Sequence, residues 1–154
     1  MNDIYSAPQT HLREAVEGDI PRMQEIRAAV RENILSDPLK VTIEDYRWFI
    51  LKGPMWVYEE NHIIKGMSAG DPRNGMIWAL FVDPEFERHG IGRLLFDRAC
   101  RSLLEAGHFK ASLYTDANSR AERFYRAAGW HGEHSNPKGD IVFTKTLQQE
   151  PKLP

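Results

Sequence analysis

The chain has 154 residues and a formal net charge of −2, with 42% hydrophobic and 27% charged residues. This length and composition predict one globular domain with an ordinary core, and they exclude a chain that is disordered throughout. The charge balance argues against nucleic acid as the main partner, because duplex binding needs a strong basic excess. The one cysteine, Cys100, excludes an intrachain disulfide and a zinc site built from cysteines.

Neither a membrane span nor a secretion signal is apparent. No stretch reaches the ~18 apolar residues of a transmembrane helix, and Met1–Thr10 lacks an apolar run. We therefore expect a cytoplasmic protein with no membrane partner. We expect a single domain over residues 1–154, with loose termini at 1–10 and 148–154.

Apolar spacing and turn residues predict a mixed series of strands and helices. The predicted elements, in chain order, are a strand at 11–16, helices at 20–33 and 42–51, strands at 55–59, 63–69 and 76–82, a helix at 91–106, a strand at 111–115, a helix at 119–128, and strands from 130 and at 141–146. The short loops between the three middle strands are typical of antiparallel hairpins. A strand–helix–strand crossover follows them and predicts a parallel pair. The fold class is therefore α/β with a mixed sheet.

The segment with the clearest chemistry runs from Trp78 to Leu95. A buried strand leads there into a loop with Gly90 and Gly92, and a helix begins at the loop. Glycines admit a ligand close to the backbone, and the free N–H groups of a helix start favour an anion. A dinucleotide fingerprint needs a third glycine where Leu95 stands, and a phosphate-binding Walker loop needs Lys where Arg93 stands. An anion site of another kind remains, beside the simpler interpretation as a strand–helix turn.

Two motifs resemble those of the GNAT superfamily of N-acetyltransferases. The run Glu87-Arg88-His89-Gly90-Ile91-Gly92 resembles the family's loop Gln/Arg-x-x-Gly-x-Gly/Ala. Residues 118–130 resemble Asn-x-x-Ala-x-x-Phe-Tyr-x-x-x-Gly-Phe and differ only at Trp130. The motifs occur in family order, and the resemblance spans about residues 11–147. It implies a single GNAT-like domain with about six to seven strands flanked by four helices.

The resemblance also implies a site for acetyl-coenzyme A, with no metal. The residues implied in binding it are Phe81, Val82, Glu87, Arg88, His89, Gly90, Ile91, Gly92, Arg93, Asn118 and Tyr125. The loop would wrap the pyrophosphate, the strand backbone would bind the pantetheine arm, and Tyr125 would protonate the departing thiolate. Glu87 departs from the family pattern, because a carboxylate beside a pyrophosphate repels it unless the side chain points away.

The residue that takes the proton from the acceptor amine is left open by the sequence. Asp83 is the candidate at the end of the central strand, although Asp83-Pro84 is also typical of a turn. Asp116, Glu32 and a water relay are the alternatives. On the next helix, we expect Phe124 in the core, which leaves Tyr125 to point into the site.

The expected function is transfer of an acetyl group to a primary amine of a small molecule. The alternatives are a peptide or protein amino group as acceptor, and a non-catalytic sensor that binds acyl-coenzyme A.

We expect Cys100 and the tryptophans Trp48, Trp56 and Trp78 to lie mostly in the core. His131 and His134 are compatible with a metal by residue type, but a surface loop is favoured. Arg27, Arg31 and Arg47 could bind an acidic acceptor or lie on solvated helix faces, and a homodimer is left open.

Overall fold

The computed structural model describes residues 11–30, 41–134 and 140–147. Within these ranges the chain forms strands, which make up a central sheet, and α-helices, which pack against its two faces. In chain order they are β1 (Leu12–Glu14), α1 (Ile20–Ala29), α2 (Ile43–Lys52), β2 (Met55–Glu60), β3 (Ile63–Asp71), β4 (Met76–Val82), α3 (Ile91–Glu105), β5 (Lys110–Thr115), α4 (Arg120–Ala127), β6 (His131–His134) and β7 (Ile141–Thr146).

The seven strands form one sheet in the order β1-β2-β3-β4-β5-β7-β6. Neighbouring strands are antiparallel except β4 and β5, which run parallel. The predicted mixed sheet, its antiparallel hairpins and its one parallel pair are therefore confirmed. The four α-helices of the described residues also match the expected number.

Strand alternation sorts the side chains of the first half of the sheet onto two opposite faces. One face packs against α1 and α2, and its buried residues include Met55, Val57, Met67, Ala69, Ala79 and Phe81. The other face packs against α3, and its residues include Trp56, Tyr58, Leu80 and Val82. A third cluster joins α3 and α4 to β5 and β7 through Phe96, Leu113, Tyr125, Trp130 and Phe143. The two helix layers thus lie on opposite sides of β4.

α3 approaches β3 closely because two glycines of the strand carry no side chain. A Cβ at Gly70 would lie 2.6 Å from Cγ of Leu103, and one at Gly66 would lie 2.7 Å from Cδ1 of Leu95. Both distances are far inside van der Waals contact, so a larger residue would push the helix off the sheet. These two positions set how closely α3 packs against β3.

Most predicted boundaries agree with the structure within two residues. β4 and β7 have the predicted ends, and Thr42 caps α2 by accepting a hydrogen bond from the Asp45 amide. The predicted first helix reaches residue 33, whereas α1 ends at Ala29 and residues 31–33 lie outside the described ranges. The predicted loose termini, 1–10 and 148–154, lie outside the described ranges. Among the described helices, none has the length and apolar character that crossing a bilayer requires.

The predicted core is confirmed except on α4. Cys100 and Trp56 are buried, and Trp48 and Trp78 pack half-buried against the α1–α2 side of the core. The prediction that Phe124 is the core residue is wrong, since Phe124 is 38% exposed and Tyr125 only 7%. The inner face of α4 instead carries Ala121, Tyr125 and Ala128 at helical spacing, because small residues on either side of the tyrosine let its ring sink among the aromatic residues of α3 and β7.

An ion-pair network fastens β1 to the turn that precedes α1. Arg13 donates to both carboxylate oxygens of Asp19, at 2.8 and 3.1 Å, and to Glu59 on β2 at 2.9 Å. The Val16 amide also donates to Asp19 at 2.8 Å. Burial alone raises the pKa of Asp19, but the hydrogen bonds from Arg13 and Val16 outweigh it and hold that pKa below its ordinary value.

We expect Asp19→Asn to lower the free energy of unfolding by about 1–3 kcal/mol near pH 7, because Arg13 loses its carboxylate partner. The pKa of Asp19 is lower in the folded state, so its contribution is present above the unfolded pKa of about 4 and is lost as the pH falls through the folded pKa. Urea unfolding at a series of pH values measures this. In a plot of the free energy of unfolding against pH, the variant should lose less stability than the wild type as the pH falls below about 4.

The control is Glu14→Gln, a neutralised carboxylate on the exposed end of β1. It should leave the free energy of unfolding, both at pH 7 and below about pH 4, within about 0.5 kcal/mol of the wild type. An Asp19→Asn variant as stable as Glu14→Gln at every pH would contradict the assigned role.

Candidate active site

The site is built where β4 and β5 part. Among the described residues, Met76 and Ser112 are the pair in register between these strands, and they lie at the strand starts. Ser112 also donates its amide to the Gly75 carbonyl at 3.1 Å, which closes the narrow end. Beyond this point, Ile77–Val82 and Leu113–Thr115 face each other across a cleft. The backbone groups that β4 turns toward this cleft lack a strand partner and are free to bind a ligand.

A bulge in β4 contributes to the parting. Ala69 of β3 lies opposite Ala79, but Gly70 lies opposite Ile77, so Trp78 is an extra residue on β4. A bulge bends its strand and increases the local twist. The Trp78 ring stacks on Phe49 of α2, with ring centroids 4.2 Å apart, which anchors the bulge to the α1–α2 layer.

The cleft has a volume of about 610 Å³ and reaches both faces of the sheet. The side toward α3 and α4 is lined by the start of α3, by Val82 and by Tyr125 and Phe124. The side toward α1 and α2 is lined by Arg27, Val30, Trp78 and Phe81. One opening in the sheet therefore connects two sites on opposite faces.

The helix start at one end of the cleft has the features of an anion site. Arg88 and Gly90 both adopt positive φ, at 67° and 79°, and so turn the backbone abruptly into α3. Gly90 is the N-cap residue and offers no side-chain hydrogen bond, so the first amides of α3 stay available to a ligand. A Cβ at Gly92 would meet Val82 at 3.6 Å, an ordinary contact.

Positive charge surrounds this helix start despite the negative net charge of the chain. Arg88, Arg93 and Arg120 all line the cleft. The Glu87 carboxylate accepts a hydrogen bond from the Arg120 guanidinium at 2.5 Å, which links the loop to the start of α4. The charge of Glu87 is therefore balanced within the protein, and Arg88 and Arg93 remain as excess cations in the cleft lining.

Tyr125 lines the cleft from α4 while its ring is held in the core. Its ring packs edge-on against Phe96, Phe124 and Trp130 and tilted against Phe143, with centroid distances between 5.1 and 6.4 Å. Burial raises the pKa of the Tyr125 hydroxyl well above its ordinary value. The hydroxyl is thus fixed in place and carries its proton at neutral pH.

The structure brings most of the predicted site residues together in this cleft. The described lining residues include Phe81, Val82, Glu87, Arg88, Gly90, Ile91, Gly92, Arg93 and Tyr125. Three other predicted residues, Asp83, His89 and Asn118, are not among them. His89 and Asn118 are exposed, and Asn118 occupies the turn before α4 with a φ of 62°. Its amide donates to the Glu122 carboxylate at 2.6 Å, which makes the positive φ part of the turn into α4.

Asp83 lies outside the cleft lining, in an adjoining cavity. It is 6% exposed, and its carboxylate accepts from Arg22 at 2.6 Å and from the Glu85 amide at 3.0 Å. Its position at the end of β4 agrees with the prediction, but its oxygens already bind α1 and the following turn. Of the other candidate bases, Asp116 lines the cleft at the end of β5, and Glu32 lies outside the described residues.

The pair of histidines singled out by the sequence falls on β6, away from the cleft. His131 and Glu133 are both exposed and lie 3.1 Å apart. Within residues 11–30, 41–134 and 140–147 no three His, Cys, Asp or Glu side chains are grouped as a metal site would require.

Several cleft residues carry no sequence signal of their own. Leu113, Tyr114 and Thr115 form the β5 wall, and Arg120 and Phe124 close it from α4. Arg120 stands at a variable position of the second motif, whereas Phe124 stands at a fixed position but is predicted in the core. The β5 wall could have been found only from the parallel pairing with β4, because its residues read as an ordinary buried strand.

Comparison with known proteins agrees with this architecture. A model of the acetyltransferase (GNAT) domain matches residues 52–131, which is just over half of the chain. Mycothiol acetyltransferase from Propionibacterium freudenreichii subsp. shermanii is 40% identical over 104 residues, covering 58% of this chain and 33% of the relative. GCN5-related N-acetyltransferase 1, chloroplastic, from Arabidopsis thaliana is 30% identical over 95 residues, covering 59% of this chain and 47% of the relative. The chain thus spans less than half the length of these relatives.

Solved structures share the fold at low sequence identity. The PaiA N-acetyltransferase of Thermoplasma acidophilum, solved with coenzyme A, has a TM-score of 0.75 and 16% identity, covering 88% of this chain and 97% of that one. YncA of Salmonella typhimurium, a putative acetyltransferase solved with acetyl-CoA, has a TM-score of 0.67 and 18% identity, covering 93% and 96%. The family match, which includes β4, the glycine loop and α4, shows that the chain belongs to the GNAT acetyltransferase family.

Proposed function

We propose that the protein transfers an acetyl group from acetyl-coenzyme A to a primary amine of a small molecule. The observation that carries the proposal is that one cleft joins the uncapped start of α3, the Tyr125 side chain and the α1 side of the sheet. An acyl transfer between two substrates requires that both reach one point from different directions. A cleft open to both faces of the sheet allows this.

Binding of coenzyme A fits the residues at the α3 side. The free amides at Ile91, Gly92 and Arg93 and the cations Arg88 and Arg93 suit a pyrophosphate. Glu87 does not oppose this, because its charge is paired with Arg120. The unpartnered edge of β4 suits the amide groups of the pantetheine arm, which would bind as an added strand.

Tyr125 is the proposed proton donor. Acetyl-coenzyme A supplies an activated acetyl thioester, whose thiolate leaves when the amine forms the new C–N bond. A tyrosine hydroxyl already carries its proton at neutral pH, burial raises the pKa of Tyr125 further, and the hydroxyl therefore has a proton to donate to that sulfur. The aromatic residues around the ring hold the hydroxyl in one position, so the donor needs little reorganisation.

We assign removal of the proton from the acceptor amine to Asp116 or to water, rather than to Asp83. Asp83 already accepts two hydrogen bonds and lies in the adjoining cavity. Glu87 lines the cleft but is bound to Arg120. Asp116 directly follows β5 and belongs to the cleft lining, where no hydrogen bond among the described residues occupies its carboxylate.

A compact acceptor is favoured over a peptide because side chains from two layers bound the α1 side of the cleft. Arg27 and Val30 extend from α1, and Trp78 and Phe81 form the wall on β4. The sensor alternative requires the glycine loop but gives no reason for a fixed, protonated Tyr125 inside the cleft.

Thiol release from acetyl-coenzyme A tests the function. The full chain is incubated with acetyl-coenzyme A and a panel of primary amines, amino acids and short peptides. We expect release with small amines and little with peptides. Release with peptides alone would transfer the proposal to a peptide acceptor, and cofactor binding without release from any acceptor would support the sensor.

Cofactor binding is measured separately by thermal unfolding. A ligand at a hundred times its dissociation constant stabilises the folded state by about 2.7 kcal/mol. For a chain of this size that corresponds to a rise in Tm of roughly 5–11 °C. We expect this rise with acetyl-coenzyme A and much smaller shifts with NAD and ATP. No shift and no heat of binding at millimolar concentration would contradict the proposed cofactor.

We expect Gly92→Val to weaken binding of coenzyme A while the protein stays folded. The new side chain begins at an ordinary 3.6 Å from Val82, so folding tolerates it, but it extends over the amides that would hold the pyrophosphate. A loss of about tenfold or more in the calorimetric Kd is the expected result, since two or three charge-assisted hydrogen bonds are hindered.

The control for this variant is Gly18→Val, another glycine with open space around its Cβ but outside the cleft. Its affinity for coenzyme A should equal that of the wild type. If Gly92→Val binds as tightly as Gly18→Val, the loop is only a turn between β4 and α3.

We expect Tyr125→Phe to lower the single-turnover rate about 10²–10⁴-fold, the usual contribution of general acid catalysis. Binding of acetyl-coenzyme A should change little, because the ring and its aromatic neighbours remain. Single-turnover conditions are needed because slow product release would mask a change in the chemical step.

Tyr58→Phe is the matched control, since Tyr58 is also buried and its hydroxyl bonds to His11 on the opposite edge of the sheet. It should lose a little stability and keep the wild-type rate. Equal rates for the two variants would refute the role given to Tyr125 and point to solvent as the proton donor.

A further inference from the structure

We infer that the acceptor carries a carboxylate near its amine and that Arg27 binds this carboxylate. The inference rests on the proposed function and concerns the α1 side of the same cleft. It names a substrate class, the amino carboxylic acids, and a residue that selects it.

Arg27 is held in the cleft with its guanidinium over the Phe81 ring, 4.9 Å from the ring centroid. The side chain is half-buried. A guanidinium that lies over an aromatic face keeps its N–H donors at its edges, where they can bind a planar carboxylate. The contact with Phe81 therefore positions Arg27 and leaves its hydrogen-bonding capacity for a ligand.

Two arginines near the α1 side of the cleft, Arg22 and Arg120, are paired with carboxylates, whereas Arg27 lacks such a partner in the described part of the chain. Arg22, one turn and a half earlier on α1, binds Asp83 and Glu25. Arg120 binds Glu87 across the cleft. No carboxylate among the described residues forms an ion pair with Arg27. A half-buried cation in a cleft attracts an anionic group strongly, because the cleft walls lower the effective dielectric constant.

A buried hydroxyl, that of Tyr46, lies beside the Arg27 guanidinium. The Tyr46 side chain of α2 is 1% exposed, and its hydroxyl has no hydrogen-bond partner within the described structure. Burial raises the pKa of Tyr46, and the adjacent Arg27 guanidinium partly offsets this. A buried polar group without a partner is costly, and such groups mark places where a ligand or ordered water completes the bonding. Tyr46 does not line the cleft, so the adjacent Arg27 guanidinium, which does, is the group that an anion in the cleft would meet.

The location of Arg27 separates it from the phosphate groups of the cofactor. Phe81 belongs to the face that packs on α1 and α2, whereas Val82 and Ile91 belong to the face that packs on α3. The anion that Arg27 meets therefore comes with the acceptor and not with the pyrophosphate at the start of α3.

The test compares amino acids with the amines that lack only their carboxylate. The pairs are glycine and methylamine, β-alanine and ethylamine, 4-aminobutyrate and propylamine, L-leucine and 3-methylbutylamine, and L-phenylalanine and 2-phenylethylamine. The first three pairs vary the distance between amine and carboxylate, and the last two vary the side chain against Trp78. Thiol release gives kcat/KM for the wild type, Arg27→Gln, Arg27→Lys and Arg47→Gln.

We expect the wild type to prefer at least one amino acid over its amine by about 10- to 100-fold, as for a charge-assisted hydrogen-bonded pair. Arg27→Gln should abolish this preference by lowering kcat/KM for the amino acid and not for the amine. Arg27→Lys should retain part of the preference, since lysine keeps the positive charge but cannot form the bidentate hydrogen bonds of a guanidinium. Arg47→Gln removes an exposed arginine that binds Glu17 and Glu44 and should behave as the wild type.

The outcomes distinguish this inference from the proposed function. Equal use of both members of every pair by the wild type, or a parallel loss on both in Arg27→Gln, would overturn the inference and leave the acetyltransferase proposal standing. A weaker calorimetric Kd for acetyl-coenzyme A in Arg27→Gln would assign Arg27 to the cofactor and overturn the inference as well. Tight binding of acetyl-coenzyme A with no release from any amine would refute the proposed function and the inference together.

Discussion

The parting of β4 from β5 is the constraint on which the candidate site depends. Two parallel neighbours that paired along their whole length would satisfy each other and leave a closed sheet. Here they pair through Met76 and Ser112 and then separate. The separation is maintained by side chains on both faces, with Trp78 anchored on Phe49 at one side and Tyr125 wedged between α3 and β7 at the other. The polar backbone of β4 is thereby kept open toward a ligand in the middle of an otherwise ordinary sheet.

This arrangement also explains how a chain with a negative net charge can present a candidate site for an anion. The relevant charge is local. The amides at the start of α3 contribute a partial positive charge, and Arg88 and Arg93 add to it. Glu87 would cancel part of this field if it were free, but Arg120 from α4 binds it. The pair has a second effect, because it ties the glycine loop to the helix that carries Tyr125 and so couples the position of the binding loop to that of the proposed acid.

The elements whose residues interact locally could be predicted from the sequence, and those that depend on distant contacts could not. β4 and the start of α3 are set by an apolar run, a turn and two glycines within twenty residues. The partner of Asp83 is Arg22, which lies 61 residues earlier in the chain, and nothing in the local sequence of either residue indicates that they meet. The same applies to Leu113–Thr115, whose place beside the cleft follows from sheet order alone. On α4, neighbouring aromatic residues differ in burial because of what α3 and β7 place beneath them, so the periodicity of that short helix did not distinguish Phe124 from Tyr125.

The two faces of the sheet line the candidate site with different kinds of groups, backbone amides and cations on one face and side chains on the other. On the α3 face, the binding groups are mainly backbone amides and cations that belong to the recurring motifs, and they suit a ligand part that does not vary. On the α1 face, the lining is made of side chains such as Arg27, Trp78 and Phe81, which the motifs leave unspecified. A backbone cradle changes little when residues are substituted, whereas a side-chain wall changes its charge and shape with each substitution. Acceptor specificity can therefore vary on one face without disturbing the proposed cofactor site on the other, and for this chain the half-buried guanidinium of Arg27 is the charge that we propose to select the acceptor.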